Sequence, residues 1–273
     1  MATSCFAYGV RIGFETTTAL STHFKLPLVP GGEINSAQSA PIVFSFEEKQ
    51  SPEGPLFTIG ENGIPVQASF DVNFAARALE SRAQHYVATV AEHVVFVHAG
   101  VVAWQGKAIL LPGKSFSGKS TLTMALVDAG ATYYSDEYAV LDAQGLVHAF
   151  SRMPRLRPDV QPPRTNSVPP ATALPPLPVG LVLSAHYNPD ALWQPRQLTP
   201  GETLLAMLEN TVAVRRQAEF SVSALKNAVA SAIGLQSERA DAASVARSIL
   251  QSITENWHLT TQLTPNLDLG ETA

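Results

Sequence analysis

The stretch Gly113-Lys114-Ser115-Phe116-Ser117-Gly118-Lys119-Ser120-Thr121 decides the fold class of this chain. It consists of a glycine, four residues of any type and then Gly-Lys-Ser, a pattern typical of loops that bind phosphate groups. An apolar run over residues 108–111 precedes it, and residues 120–127 carry apolar side chains at helical spacing. A strand, a glycine-rich turn and a helix form the context that this pattern requires. The alternative is a Gly/Ser-rich turn of the same shape that binds no ligand.

The physical chemistry of such a loop gives most of its residues a role. Glycines let the backbone curl so that successive N–H groups point at phosphate oxygens, and the next helix adds its positive dipole end. Lys119 would reach the β- and γ-phosphates, and the Ser120 hydroxyl would bind Mg²⁺. We therefore predict ATP or another nucleoside triphosphate, together with Mg²⁺, as cofactors. The predicted nucleotide-binding residues of the loop are Gly113, Ser115, Phe116, Ser117, Gly118, Lys119, Ser120 and Thr121.

Composition narrows the class of protein. The chain has 273 residues, 45% of them hydrophobic, which suffices for one large core or two small ones. A net charge of −5 and an isoelectric point of about 5.8 do not indicate a nucleic-acid-binding surface. The single cysteine, Cys5, allows no internal disulfide, and the N-terminus lacks a signal-peptide pattern. The longest apolar run, over 94–104, is too short to span a bilayer. We expect a cytoplasmic protein without membrane or nucleic-acid partners.

Patterning along the chain predicts three regions. Residues 1–90 form a β-rich N-terminal lobe, which includes most of a helix over 71–92. Residues 91–255 form a nucleotide-binding core that packs with the lobe as one unit, and residues 256–273 form a polar tail. The residues of the lobe helix expected to face the core are Phe74, Ala78, Leu79 and Tyr86.

Inside the core, short apolar runs alternate with helical patterns. The expected strands are 94–98, 100–104, 108–111, a strand on each side of residues 136–137, and 179–183. The expected helices follow the glycine-rich stretch up to Gly130 and cover 200–212, 221–232 and 241–253. Prolines crowd residues 158–178. Because prolines block regular hydrogen bonding, we expect an irregular, mobile segment. It either faces the acceptor of a reaction at the loop or is a solvated linker without a role.

An acidic pair supplies the second element that a phosphate loop needs. Asp136 and Glu137 follow an apolar β run, one crossover after the loop helix. A strand parallel and adjacent to the loop strand would place a carboxylate beside Mg²⁺ at this point. The alternative is a surface turn. We predict Asp136, Glu137 and Ser120 as the Mg²⁺ ligands.

The sequence alone leaves the roles of one histidine and of one basic cluster open. His98 ends an apolar run about one hairpin before the loop, so it belongs either to the core or to the site. Arg152, Arg155 and Arg157 form a basic cluster, which is either a solvated face or a clamp for phosphate groups, since guanidinium matches phosphate oxygens. We take Arg157 as the candidate that binds the nucleotide.

Together, the stretches Val97-His98-Ala99-Gly100-Val101, 113–121 and Ser135-Asp136-Glu137 resemble the catalytic core of HPr kinase/phosphorylase. That family shares its fold with ATP-dependent phosphoenolpyruvate carboxykinase. The resemblance covers about residues 94–142. The stretch after the acidic pair has no counterpart of the glycine-rich signature of true HPr kinases. We therefore carry over neither phosphorylase activity nor HPr as the acceptor, and a homo-oligomer is left open.

The resemblance implies roles for individual residues. His98 would match an active-site histidine paired with the first carboxylate, and in its protonated form it would help to keep Asp136 ionised. Asp136 would match the base that takes the proton of the acceptor hydroxyl. Glu137 would match the acidic metal ligand, although the family usually has Asp there. The predicted catalytic residues are thus Asp136, His98 and Lys119.

The sequence therefore predicts an α/β protein with an HPr kinase/phosphoenolpyruvate carboxykinase-like core, a β-rich N-terminal lobe and C-terminal helices. The predicted activity is ATP-dependent transfer of a phosphoryl group to a serine hydroxyl of a protein or peptide. Two alternatives stay open. One is a nucleotide-binding regulatory or scaffold protein with weak hydrolysis, and the other is a small-molecule kinase.

Overall fold

The structure is a computed structural model that describes residues 2–17, 19–24, 26–35, 39–114, 117–150, 152 and 173–256. In these ranges the fold is mixed α/β, with two mixed sheets and five α-helices. This confirms the predicted class at the level of α/β. The division at residue 90 and the tail remain predictions.

The first sheet contains six strands from the N-terminal region. They are β1 (Ala2–Ala7), β2 (Val10–Thr16), β3 (Glu33–Asn35), β4 (Val43–Ser51), β5 (Gly54–Glu61) and β6 (Ile64–Ser69). Their order is β3-β1-β2-β4-β5-β6, and only the pair β2–β4 is parallel. Strands β5 and β6 are joined by Asn62-Gly63, both with positive φ, as a tight two-residue hairpin requires.

Helix α1 (Val72–Val90) covers this sheet. The Asp71 side chain caps its start by accepting hydrogen bonds from the backbone N–H groups of Asn73 and Phe74, at 2.8 and 3.1 Å. The helix over 71–92 is thus confirmed, whereas the core-facing position of Phe74 is wrong, since Phe74 is 50% exposed. The buried stripe runs at four-residue spacing through Leu79, Ala83 and Val87, which leaves Phe74 at its side.

The second sheet carries the glycine-rich stretch. Its strands are β7 (Val95–Trp104), β8 (Lys107–Pro112), β9 (Thr132–Ser135), β10 (Tyr138–Leu141), β11 (Val147–His148), β12 (Val179–Tyr187), β13 (Arg196–Leu198) and β14 (Ile233–Arg239). The order is β11-β10-β7-β8-β12-β14-β13, with β9 also paired to β7. Strands β8, β12 and β14 are parallel, and the other neighbours are antiparallel.

Strand β7 corrects one prediction. Two short strands were expected over 94–98 and 100–104, but the structure has one continuous strand. The reason is pairing: one edge of β7 pairs with β10 and then β9, and the other edge pairs with β8 from Ala99 onward. Strands β9 and β10 therefore pair one after the other with the same edge of β7, and Asp136 and Glu137 lie between them.

Four helices cover the two faces of this sheet. Helices α2 (Lys119–Asp128) and α5 (Ala242–Asn256) pack on one face, and α3 (Pro200–Leu208) and α4 (Ala218–Val229) pack on the other. Strand β8 is buried on both faces: Ile109 and Leu111 pack on the side of α2 and α5, and Leu110 packs on the side of α3 and α4. All four helices had been predicted, with bounds that differ by a few residues. In the described ranges, no helix has the length and apolar character needed to cross a membrane.

Candidate functional site

The glycine-rich loop, residues 113–118, joins the end of β8 to the start of α2, as predicted. Ser115 and Phe116 lie outside the described residues. Gly118 is the N-cap of α2 and has a φ of 86°, which lies in the left-handed region that favours glycine. A Cβ atom at Gly113 would lie 2.9 Å from Ser117 Oγ, so a side chain there would displace this hydroxyl.

Protein donors hold the outer carbonyls of the loop. The Ser117 carbonyl accepts a hydrogen bond from the Tyr187 N–H at 3.2 Å. The Gly118 carbonyl accepts one from Arg239 Nη2 at 2.7 Å. Within the loop itself, the Ser117 N–H donates to the Lys114 carbonyl at 3.3 Å.

The start of α2 presents backbone and hydroxyl donors that the described residues leave unpaired. Among the described residues, none provides an acceptor for the N–H groups of Gly118, Lys119, Ser120 or Thr121. The buried Ser117 hydroxyl also has no partner there. Because a helix start with unpaired N–H groups attracts negative charge, this end of α2 can bind an anion.

Lys119 closes the loop on itself. Its Nζ donates to the carbonyls of Gly113 and Lys114, each at 2.6 Å. Burial lowers the pKa of Lys119, while the negative charges of Glu137 and Asp136 act to raise it. The loop lysine thus lies in the electrostatic field of both acidic residues, although they are 17 and 18 residues farther along the chain.

Strand β7 brings the loop and the acidic residues to the same level of the sheet. The Gly113 N–H donates to the His98 carbonyl at 3.3 Å, and the Ala99 N–H donates to the Glu137 carbonyl at 3.3 Å. Strand β9, which precedes the acidic pair, was predicted to be parallel and adjacent to β8. It is parallel to β8 but not adjacent, because β7 lies between them. Two strand spacings separate the two elements, about 10 Å.

Arg152 joins both carboxylates. Its Nη2 donates to Glu137 Oε2, and its Nε lies 3.6 Å from Asp136 Oδ1, an ionic contact without a hydrogen bond. Burial lowers the pKa of Arg152, but Asp136 and Glu137 outweigh it, so that the net pKa is raised. Of the two readings of the basic cluster, a solvated face is wrong for Arg152, whose side chain is 11% exposed. Arg155 and Arg157 lie outside the described residues.

Asp136 is the more buried member of the acidic pair, with 5% of its surface exposed. The Tyr133 hydroxyl lies 2.9 Å from Asp136 Oδ1 and 3.0 Å from the Arg152 carbonyl, so its single proton serves one of them at a time. Burial and the negative charge of Asp136 raise the pKa of Tyr133, which keeps this donor protonated. The alternative of a surface turn is therefore wrong for Asp136, since it is held inside the protein.

His98 faces the acidic residues from β7. Its Nδ1 lies 4.0 Å from Glu137 Oε1, and its ring packs against Tyr138 with ring centroids 4.7 Å apart. The resemblance pairs His98 with Asp136, whereas the ring here approaches Glu137. Burial lowers the pKa of His98 and outweighs the opposite effect of Glu137. The lowered pKa favours a neutral ring, and the protonated His98 stays a prediction.

Most of the predicted site residues are brought together. Glu137 acts on the pKa of both His98 and Lys119, and Asp136 acts on the pKa of Lys119. Ser120 and Thr121 lie in the first turn of α2. In the described part of the chain, no group of three or more His, Cys, Asp or Glu side chains forms a metal site by itself. Sequence reasoning missed Arg239, Tyr187 and Tyr133, because no local pattern links them to the loop or to the acidic pair.

Searches of protein-family models, curated proteins and solved structures found no match to this chain. The resemblance to HPr kinase/phosphorylase therefore rests on the residues quoted above and stays a prediction.

Proposed function

We propose that this protein is a kinase of the HPr kinase type, which transfers a phosphoryl group from ATP or a related nucleotide to a serine hydroxyl of a protein or peptide. One observation carries the proposal: strand β7 holds the glycine-rich loop beside the acidic pair, because it accepts from the Gly113 N–H and donates to the Glu137 carbonyl. Lys119, the first residue of α2, bonds two carbonyls of the same loop. This combination of a phosphate cradle, a lysine and two carboxylates is what phosphoryl transfer uses.

Each group would have a separate task. The N–H groups at the start of α2 would bind phosphate oxygens, and Lys119 would exchange its two loop carbonyls for the β- and γ-phosphates. Ser120 and the carboxylates of Glu137 and Asp136 offer the oxygen donors that Mg²⁺ prefers, with phosphates completing the set. Mg²⁺ would neutralise charge on the transferred group.

Asp136 would accept the proton of the acceptor hydroxyl. In the present arrangement its carboxylate is turned toward Tyr133 and Arg152, so this step requires the Arg152 contact to loosen. A neutral His98 would orient Glu137 without adding positive charge if its Nδ1–H donated to Oε1, which now lies 4.0 Å away.

Lys119→Ala tests the nucleotide site. The variant should lose nucleotide affinity by at least about tenfold, because a charged donor to phosphate is removed. Lys114→Ala is the matched control, since Lys114 is exposed in the same loop and its backbone carbonyl is retained. Binding is measured by calorimetry and folding by circular dichroism. Equal affinity in the wild-type protein and Lys119→Ala would contradict the proposal.

Transfer itself needs an acceptor. Incubation with γ-labelled ATP and candidate serine-containing peptides should label the peptide, and ATP consumption should depend on the peptide. Labelling of a small metabolite instead of any peptide would favour the small-molecule kinase.

The second candidate is a nucleotide-binding regulatory protein with weak hydrolysis. It is favoured by Arg152, which neutralises both carboxylates and leaves Asp136 almost inaccessible to an acceptor. This candidate predicts nucleotide binding with slow hydrolysis that no peptide accelerates.

A further inference from the structure

Arg239, the last residue of β14, is a buried cation under the glycine-rich loop. It is 1% exposed, and no carboxylate in the described ranges forms an ion pair with it. Burial lowers the pKa of Arg239, and Tyr187 and Asp241 counteract this only in part. A buried charge without a counter-ion is unfavourable, so its presence calls for a specific compensation.

The contacts of Arg239 point to the loop. Its Nη2 donates to the Gly118 carbonyl at 2.7 Å and its Nη1 to the Ala240 carbonyl at 3.1 Å, whereas Nε has no acceptor within the described residues. The Tyr187 ring covers the guanidinium, with Cζ 5.6 Å from the ring centroid. A Cβ atom at Gly118 would lie 2.5 Å from Nη2, so the guanidinium packs directly on this glycine.

The position of Arg239 in the sheet supports a role toward a ligand. Strands β8, β12 and β14 are parallel, and their carboxyl ends carry the loop, Tyr187 and Arg239. Tyr187 and Arg239 are partners in the strand register. Ligands of open α/β sheets bind at this edge.

Charge on the Gly118 carbonyl is transmitted to the other side of the same peptide group. The Gly118 carbonyl and the Lys119 N–H belong to one planar amide, and a cation at the oxygen polarises the N–H into a stronger donor. In the described residues the Lys119 N–H has no acceptor. A cation at the Gly118 carbonyl would therefore act on a bound anion through the peptide group, without touching it.

We propose that Arg239 is a positioning residue for a polyphosphate: it fixes the left-handed Gly118 and strengthens the donors that face the phosphate groups with its buried positive charge. This proposal rests on the phosphate-binding role of the loop proposed above. It adds a residue 121 positions away from Gly118 in the chain.

Inorganic tripolyphosphate is the probe, because its binding needs neither an acceptor nor the catalytic carboxylates. Calorimetry over a series of salt concentrations compares the wild-type protein with Arg239→Met, Arg239→Lys and Arg247→Met. Arg247 is an exposed arginine of α5 and controls for the loss of one charge. Circular dichroism and thermal unfolding check the fold of each variant.

Arg239→Met should bind tripolyphosphate about tenfold more weakly, as expected for a charge-assisted hydrogen bond, and its affinity should depend less steeply on salt. Arg239→Lys should keep the steep salt dependence of the wild-type protein, and Arg247→Met should keep its affinity. A purely structural role would weaken binding without changing the salt dependence.

The outcomes separate the two proposals. If the wild-type protein does not bind tripolyphosphate, both the loop function and the role of Arg239 are overturned. If it binds and Arg239→Met binds equally well, or with unchanged salt dependence, only the role of Arg239 is overturned. If Arg239→Met does not fold, Arg239→Lys decides. The proposal requires this variant to keep the salt dependence of the wild-type protein, and a reduced salt dependence despite the retained charge overturns it.

Discussion

The guanidinium of Arg152 lies against the carboxylate of Asp136 where both side chains are nearly excluded from solvent, 11% and 2% exposed. The same guanidinium also bonds Glu137. An internal cation thus already contacts both carboxylates that are proposed to bind Mg²⁺. Arg152 and a divalent cation are therefore expected to compete for the two carboxylates.

Arg152→Gln tests this competition. Without a divalent cation, the variant should be less stable by about 3–5 kcal/mol, because the buried carboxylate of Asp136 and the half-exposed one of Glu137 lose their partner. Added Mg²⁺ should restore much of the free energy of unfolding in the variant and change the wild-type protein less. Urea unfolding with and without MgCl₂ measures both effects. Arg196→Gln is the control, since Arg196 forms an exposed ion pair with Glu202 and belongs to no proposed site. An equal response of both variants to Mg²⁺ would exclude the competition.

The two carboxylates should separate in their effects on activity. Glu137→Gln should raise the Mg²⁺ concentration needed for half-maximal activity, since a half-exposed metal ligand loses its charge. Asp136→Asn should leave nucleotide affinity largely intact and lower transfer by about 10²–10⁴-fold, the usual range for a positioned base. Nucleotide titrations and transfer rates at several Mg²⁺ concentrations measure these effects. Transfer at the wild-type rate by Asp136→Asn would show that Asp136 is not the base.

The lowered pKa of His98 predicts a pH dependence of stability. Its ordinary value is 6.5, and burial lowers the pKa in the folded protein, so the unfolded chain binds the proton more tightly. The contribution of His98 is therefore fully present above the unfolded pKa and is lost as the pH falls toward the folded pKa. Comparing the wild-type protein with His98→Gln in urea at about pH 7.5 and about pH 5.5 should show the wild-type protein losing more stability on acidification. His148→Gln, which removes a histidine outside the site, is the control.

The local parts of this site were predictable from the sequence, and its long-range parts were not. The strand and helix that flank the glycine-rich loop follow from apolar periodicity, as do the two strands around Asp136 and Glu137. The insertion of β7 between β8 and β9 depends on pairing between distant segments, for which a local pattern has no signal. The predicted roles of Arg157 and of the proline-rich segment over 158–178 stay predictions, since residues 153–172 lie outside the described ranges.

Strand β14, which carries Arg239, was not predicted from the sequence. Its sequence Ile233-Gly-Leu-Gln-Ser-Glu-Arg239 lacks a clear apolar alternation and contains Gly234, which weakens a strand assignment. In the fold, Gly234 is needed because a Cβ atom there would lie 1.9 Å from Thr203 Oγ1 of α3. Parallel pairing with β12 stabilises the strand and carries Arg239 to the loop.

A second close approach provides a test of the fold itself. Where α2 crosses β7, a Cβ atom at Gly100 would lie 2.1 Å from Thr123 Oγ1, a buried hydroxyl without a hydrogen-bond partner in the described residues. Gly100→Ala should lower the free energy of unfolding by about 1–3 kcal/mol through overpacking. The double variant Gly100→Ala/Thr123→Ala should recover much of this loss, because the obstructing oxygen is gone and the Thr123 Cβ lies at an ordinary 3.5 Å. Thr123→Ser keeps the oxygen, so combined with Gly100→Ala it should give no such recovery. Urea unfolding of the single and double variants measures the coupling, and additive effects in the alanine pair would mean that β7 and α2 do not meet at these residues.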